Sequence, residues 1–183
     1  FAIEAGKKVR TETTIAQRPT SVGSLVAKLA KESFSDLSNK TAFLIGTGKI
    51  GQITAKNLKA QGISNIIISN RTYQKAQDLA QELDATVVDY NEFEKYIPKA
   101  DIIVVSVGIN DYLINPDNFA SSKEKVLLVD LSIPRNISPK LANKPNVKLY
   151  DIDSLESVIS LNKEERIEII NECGASPMID ALE

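Results

Sequence analysis

The chain reads as an α/β protein built on a doubly wound parallel sheet with flanking helices, and three features point there. Short apolar runs alternate with helical patterns at the spacing that parallel strands and their crossover helices require. Those runs are continuously apolar, as strands covered by helices on both faces should be. The first run ends in a glycine-rich turn, L-I-G-T-G-K-I-G at Leu44–Gly51, that opens directly into a helical pattern.

Each element has its own local reason. Gly6–Pro19, G-K-K-V-R-T-E-T-T-I-A-Q-R-P, is polar and irregular, the composition of a linker. From Thr20 to Lys31, Val22, Leu25, Val26, Leu29 and Ala30 recur at helical spacing behind a cap at Thr20 or Ser21. S-D-L-S-N-K, ending at Lys40, is a turn. Thr41–Ile45 is a buried strand, and Lys49–Gln61 a helix that Gly62 stops, in the position of a C-terminal glycine. Asn65–Ser69 is a second strand. Tyr73–Leu83 is a second helix of the alternation, with Ala76, Leu79, Ala80 and Leu83 on one face. Ala85–Asp89 is a short third strand, followed by a short helix with Asn91 and Glu94 as its capping pair and Pro98 as its stop. Asp101–Val107, Lys125–Leu131 and Asn146–Tyr150 complete six strands. Asp153 with Glu156 then caps a last helix from Ser154 to about Cys173, carrying Leu155, Val158, Ile159, Ile167 and Ile170, in a place where a subunit contact could form.

Composition narrows the function classes. The 183 residues suit one domain of ordinary size with small flanking pieces, and 43% hydrophobic with 25% charged residues marks a globular chain. No apolar run approaches a bilayer span, no leader opens the chain, and the single cysteine rules out an internal disulfide. These features suggest a cytoplasmic protein with no membrane contact. A net charge of −2 argues against unaided nucleic-acid binding. The chain has no histidine, which excludes a Ser-His-Asp relay, a Cys-His pair and nearly every zinc site within it. We therefore expect no metal site in this chain.

What remains is a cofactor site. Gly46, Thr47, Gly48, Lys49, Ile50 and Gly51 fit G-x-G-x-x-G between a strand and a helix, the context that gives the pattern meaning. Gly46 permits the tight turn, Gly48 lets backbone approach a pyrophosphate, and Gly51 allows close helix–strand packing. The helix N-terminus presents its unpaired amides to the phosphates. Such a site makes the sheet a Rossmann-like one. Nineteen positions past Gly51, where a carboxylate would hold the ribose 2′-hydroxyl of NAD, stand Asn70, Arg71 and Thr72. A guanidinium there would make a charge-assisted bond to a 2′-phosphate, so the expected cofactor is NADPH. After the fourth strand Ser106 and Gly108 would flank the nicotinamide. Asp130 and Arg135 after the fifth are further polar candidates; ordinary loop and turn roles remain open for Ser106, Asp130 and Arg135.

Six segments together resemble glutamyl-tRNA reductase: G-K-K-V-R-T-E-T-T-I, the S-V-G-S that opens the first helix, L-I-G-T-G-K-I-G, S-N-R-T-Y-Q-K-A-Q-D-L-A, V-D-L-S-I-P-R-N-I and L-Y-D-I-D-S-L. They run in the family's order from about Gly6 to about Leu155. N-R-T is shared with shikimate dehydrogenases; V-D-L-S-I-P-R followed by Y-D-I-D is far more specific. The resemblance implies NADPH-dependent reduction of the glutamyl group on charged tRNA to glutamate-1-semialdehyde, in tetrapyrrole (porphyrin, haem) biosynthesis. In that family a cysteine thiolate of an N-terminal domain first takes the glutamyl group as a thioester, and none of that domain's positions is present here. Cys173 is read as a packing or surface thiol.

On this reading residues 1–38 lead from a missing catalytic domain, 39–153 are the NADP-binding domain, and 154–183 begin or retain a dimerisation segment. The full-length protein would be a homodimer. The chain alone should neither turn over glutamyl-tRNA nor bind it tightly. Two departures stand out. Val107 replaces an expected small hydroxyl residue, and E-E-R-I-E-I-I-N-E-C runs almost directly into G-A-S-P-M-I-D-A-L-E, as though a helix between them were missing. Two competing readings are a shikimate-dehydrogenase-like NADP oxidoreductase and a non-catalytic NADP-binding scaffold module.

Overall fold

The computed structural model describes residues 21–161. The linker Gly6–Pro19, the alternative cap Thr20, Ile167, Ile170, Cys173 and the G-A-S-P-M-I-D-A-L-E segment lie outside them. Helix α1 (Val22–Phe34) precedes β1 (Thr41–Ile45), α2 (Lys49–Ala60), β2 (Asn65–Ser69), α3 (Tyr73–Leu83) and β3 (Thr86–Val87). A 3-10 helix over Tyr90–Lys99 leads to β4 (Ile102–Val105), and a long irregular connection to β5 (Val126–Asp130). A short 3-10 turn (Pro139–Asn143), β6 (Val147–Asp151) and helix α4, described over residues 152–161, follow.

All six strands are parallel, in the order β3-β2-β1-β4-β5-β6. The chain thus winds outward twice from the centre, and the switch point falls between β1 and β4. This is the order of a dinucleotide-binding sheet, with the ligand crevice at the strands' carboxyl ends beside that switch.

The apolar runs are continuous because each central strand feeds two cores. Ala42 and Leu44 of β1, Ile102 and Val104 of β4, and Leu127 and Val129 of β5 face one cluster, with residues of α1, α2, α3 and α4. Their neighbours Phe43, Ile45, Ile103, Val105, Val126 and Leu128 face the other. Phe93 and Ile97 of the 3-10 helix cover this second core, together with Ile114 and Phe119 from the β4–β5 connection. One face is therefore helical and the other is closed largely by a 3-10 helix and loop. Helix α1, placed by sequence in the approach to the sheet, is part of the first core through Leu25, Val26 and Ala30.

Several expected boundaries shift. β3 pairs only at Thr86 and Val87, because an edge strand exists only where β2 offers it a partner. The 3-10 helix is capped by Asp89, whose carboxylate accepts from the Asn91 amide, so Asn91–Glu94 is not its capping pair. Pro98 lies inside it and does not stop it. α4 begins at residue 152. Its cap is the reciprocal Asp151–Ser154 pair, at 2.8 and 3.0 Å, not Asp153–Glu156. There the strand runs straight into the helix, so its last carboxylate becomes the cap.

Candidate cofactor site

The site begins where β1 ends. Gly46 takes φ +92°, and a Cβ there would overlap the Ser106 carbonyl oxygen and lie 2.6 Å from Val107 Cγ1. Only glycine can make this turn. Its amide donates to Ser69 O at 2.8 Å, so the turn is tied to the end of β2. A Cβ at Gly51 would lie 2.9 Å from Ser106 Cβ and 3.3 Å from Leu44 Cδ1, which is the close helix–strand approach expected of the third glycine. At Gly48 the near neighbour is Ser106 Oγ, at 2.7 Å from the added Cβ. The middle glycine therefore also makes room for a protein side chain, and the glycine turn and Ser106 form one surface across the β1–β4 switch.

Helix α2 starts bare. Its N-cap is Gly48, no side chain caps it, and its first turn contains no acid. Lys49 occupies its first position and is exposed, where a positive charge opposes the helix dipole. Free first-turn amides with a cation beside them are poorly arranged for a helix alone and well arranged for an anion. Ile50 is 38% exposed, and Thr47 is pinned from two sides. Its amide donates to Asn70 Oδ1 at 3.2 Å, and its carbonyl accepts from Gln52 Nε2 at 2.8 Å.

The end of β2 repeats the pattern. Asn70 bridges the two turns, since its Nδ2 also donates to Thr72 O at 2.9 Å. Thr72 is the N-cap residue of α3, but its hydroxyl makes no capping bond, and α3 has no acid in its first turn. Arg71 and Thr72 are exposed beside it, as is Lys75. Arg71 thus stands exposed at an uncapped helix start one strand away from the glycine turn.

On the far side of the switch Ser106 and Val107 are half-buried and Gly108 is exposed. Val107 donates its amide to Ser132 Oγ at 3.2 Å. Nothing lies within 4 Å of a Cβ built at Gly108, so space is open there. The other two candidates have structural roles. Asp130 is fully buried, and its carboxylate accepts the amides of Ser132 at 3.0 Å and of Asn136 and Ile137 at 2.8 Å each. It shapes the loop after β5 from within. Arg135 pairs through Nη1 with Asp151 Oδ2 at 3.2 Å, joining that loop to the end of β6. The Ser154 amide, followed by the Ser154 hydroxyl and Arg135, holds the Asp151 carboxyl below its ordinary range against the opposing effect of partial burial.

Gln52, Ser132 and Asn136 were missed from sequence. Each is a polar residue whose partner is a backbone group of a different loop, or of its own loop several residues away. For Asn136 the available signal was an amide next to apolar Ile137 in a loop leaving a buried strand. Among the described residues no group of three or more His, Cys, Asp or Glu could hold a metal ion. Nor is any described helix long and apolar enough to cross a membrane.

Comparison with known proteins agrees with this fold. The family model described as shikimate/quinate 5-dehydrogenase matches residues 28–158. Glutamyl-tRNA reductase of Aquifex aeolicus is 39% identical over 171 residues, which cover 91% of this chain and 42% of that protein. The enzyme of the same name from Geotalea uraniireducens is 36% identical, covering 90% of this chain and 39% of the relative. The chain therefore spans about two-fifths of the length of the curated relatives it matches. Among solved structures, glutamyl-tRNA reductase from Methanopyrus kandleri superposes with a TM-score of 0.81 at 26% identity, over 98% of this chain and 46% of that one. Shikimate 5-dehydrogenase from Thermus thermophilus, in complex with NADP(H) and shikimate, shares the fold with a TM-score of 0.56 at 20% identity, over 79% of this chain and 56% of that one. The chain belongs to the shikimate/quinate 5-dehydrogenase family, and the curated relatives it matches are glutamyl-tRNA reductases, to one part of which it corresponds.

Proposed function

We propose that this chain is the NADPH-binding portion of a glutamyl-tRNA reductase, the part that holds the reductant while a tRNA-borne glutamyl group is reduced to glutamate-1-semialdehyde for tetrapyrrole biosynthesis. The observation that carries the reading is identity of 34 to 39% with glutamyl-tRNA reductases over 91% of the chain. The fold match of shikimate dehydrogenase is weaker in identity, and a shikimate-dehydrogenase-like activity is the less supported alternative. In the same proposal 39–153 form the NADP-binding domain, 1–38 approach it from a catalytic domain with α1 packed into its first core, and 154–183 belong to a dimerisation segment whose first turn, through Leu155, packs into that core too. The enzyme would act in the cytoplasm as a homodimer.

When bound, NADPH supplies the hydride. The chain's own residues bind and orient it. Gly48 and the first-turn amides of α2 receive the pyrophosphate, with Lys49 adding charge. Arg71, with the free hydroxyl of Thr72 and the uncapped start of α3, receives the 2′-phosphate. Ser106, seated against Gly48 and Gly51, and Gly108 face the nicotinamide side. The fit rests on the two bare helix starts, whose amides and neighbouring cations have no counter-charge from their own first turns.

Titration calorimetry with the two cofactors tests the reading. The chain should bind NADPH more tightly than NADH. Arg71→Ala should weaken NADPH by about one to two powers of ten and leave NADH nearly unchanged, since a lost charge-assisted bond costs ~1.5–3 kcal/mol. Equal affinity for the two cofactors would overturn the assignment of NADPH and leave the fold standing.

A further inference from the structure

Asn136 is fully buried, yet every bond it makes is to the protein's own backbone or to Asp130. Its Nδ2 donates to the carbonyl oxygens of Ile109 and Asp111, both at 2.8 Å. Its backbone carbonyl accepts from the amides of Leu113 at 2.7 Å and Ile114 at 3.1 Å. Its own amide is held by Asp130 Oδ2. One residue thus fastens the segment after β4 to the loop after β5.

The side-chain oxygen of Asn136, meanwhile, has no hydrogen-bond partner among the described residues. Buried polar atoms are almost always paired, so an unpaired one calls for a reason. An apolar side chain would fill this space without the orphan. The benefit of asparagine is the pair of bonds to Ile109 and Asp111, which lie in a stretch with no helix or strand of its own. Without that clamp, the Gly108–Asp111 segment would have to be ordered by whatever binds against it.

The clamp sits on one side of the crevice only. A dinucleotide lies across the switch point between β1 and β4, one half on each side. On the reading proposed above, on which this inference rests, the adenine half lies toward Arg71 after β2. The nicotinamide half then lies toward the segments after β4 and β5. We infer that Asn136 is a positioning residue for the nicotinamide half: it preforms the wall on that side without touching the cofactor, which lowers the ordering cost of binding.

The test compares two ligands on the 183-residue chain. NADPH spans both sides of the crevice, whereas adenosine 2′,5′-bisphosphate carries only the adenine end. Asn136→Ala should weaken NADPH about tenfold, with adenosine 2′,5′-bisphosphate unchanged within about twofold, because only one half of the site loses its preformed wall. Thermal melts establish that the variant folds, and if the alanine form does not, Asn136→Ser carries the same comparison. Equal losses for the two ligands, or no loss for either, would overturn the inference, as would failure of both variants to fold. A wild-type chain that binds neither ligand would instead overturn the cofactor reading and this inference with it.

Discussion

The two helices that follow β1 and β2 begin in the opposite way to α1, the long 3-10 helix and α4. α1 starts with a reciprocal Ser21–Ser24 capping box, the 3-10 helix with the Asp89 carboxylate and Glu92 in its first turn, and α4 with the Asp151–Ser154 pair. α2 and α3 start with no side-chain cap and no acid, and carry Lys49 and Lys75 in their first turns with Arg71 just before α3. Each missing cap forgoes about 1 kcal/mol that this chain obtains elsewhere. The short 3-10 turn at Pro139–Asn143 is uncapped as well, so a bare start alone does not mark a site; on the function proposed above, the starts of α2 and α3 are the ones left free for an anion.

The most damaging way to break the comparison is at the turn itself. Gly46→Val forces a branched side chain into φ +92° against the Ser106 carbonyl, and should cost about 2–4 kcal/mol in urea unfolding. Gly62 is its control, with a similar φ of +97° but nothing within 4 Å of an added Cβ. Gly62→Ala should therefore cost only the backbone share, about 1–2 kcal/mol. If the two lose alike, the tight closure of the glycine turn on Ser106 is not what holds it.

Gly48→Val asks whether the bare start of α2 serves a ligand. Its new side chain meets Ser106 Oγ, a group that can rotate away, so the fold should survive. Binding of NADPH and NADH should weaken alike, by about tenfold or ~1.4 kcal/mol, because both carry the pyrophosphate that approaches this turn. A loss confined to NADPH would place the 2′-phosphate at α2 and contradict the role given to Arg71.

Swapping the two kinds of start sharpens the contrast further. Ser21→Ala should cost about 1 kcal/mol of stability and leave cofactor affinity unchanged. Lys49→Glu should do the reverse, raising the stability of the free chain by about 0.3–1 kcal/mol while weakening both cofactors. A stability loss on Lys49→Glu would mean that α2 already has the counter-charge it is argued to lack.

The smallest effect is at the start of α4. The Asp151 carboxyl lies below its ordinary range because of the Ser154 amide, then the Ser154 hydroxyl and Arg135. A lowered folded pKa gives stability that is fully present above the unfolded value and disappears as pH falls through the folded one. Urea melts from about pH 5 down to pH 2 should show this loss, and Asp151→Asn should flatten that limb. The starts of α2 and α3 have no carboxylate cap and add no such slope.

Most of the sheet was legible in the residues alone. Thr41–Ile45, Asn65–Ser69 and Tyr73–Leu83 could be bounded to the residue, because continuous apolar runs, helical periodicity and flanking turn residues are local properties. The same holds for the glycine turn, whose positions must lie next to one another to act. Only the tertiary structure decided what the isolated polar residues do. Asp101 accepts the Thr41 amide sixty positions away and pairs with Lys123, Asp130 holds three amides of its own loop, and Asn136 reaches Ile109 and Asp111. Sequence also could not show that Ser106 would fill the space over Gly48 and Gly51, nor that Asp151 would cap α4. A residue's type and its neighbours along the chain determine which local structure it favours, whereas its hydrogen-bond partner is set by which strands lie side by side, and that depends on the whole fold.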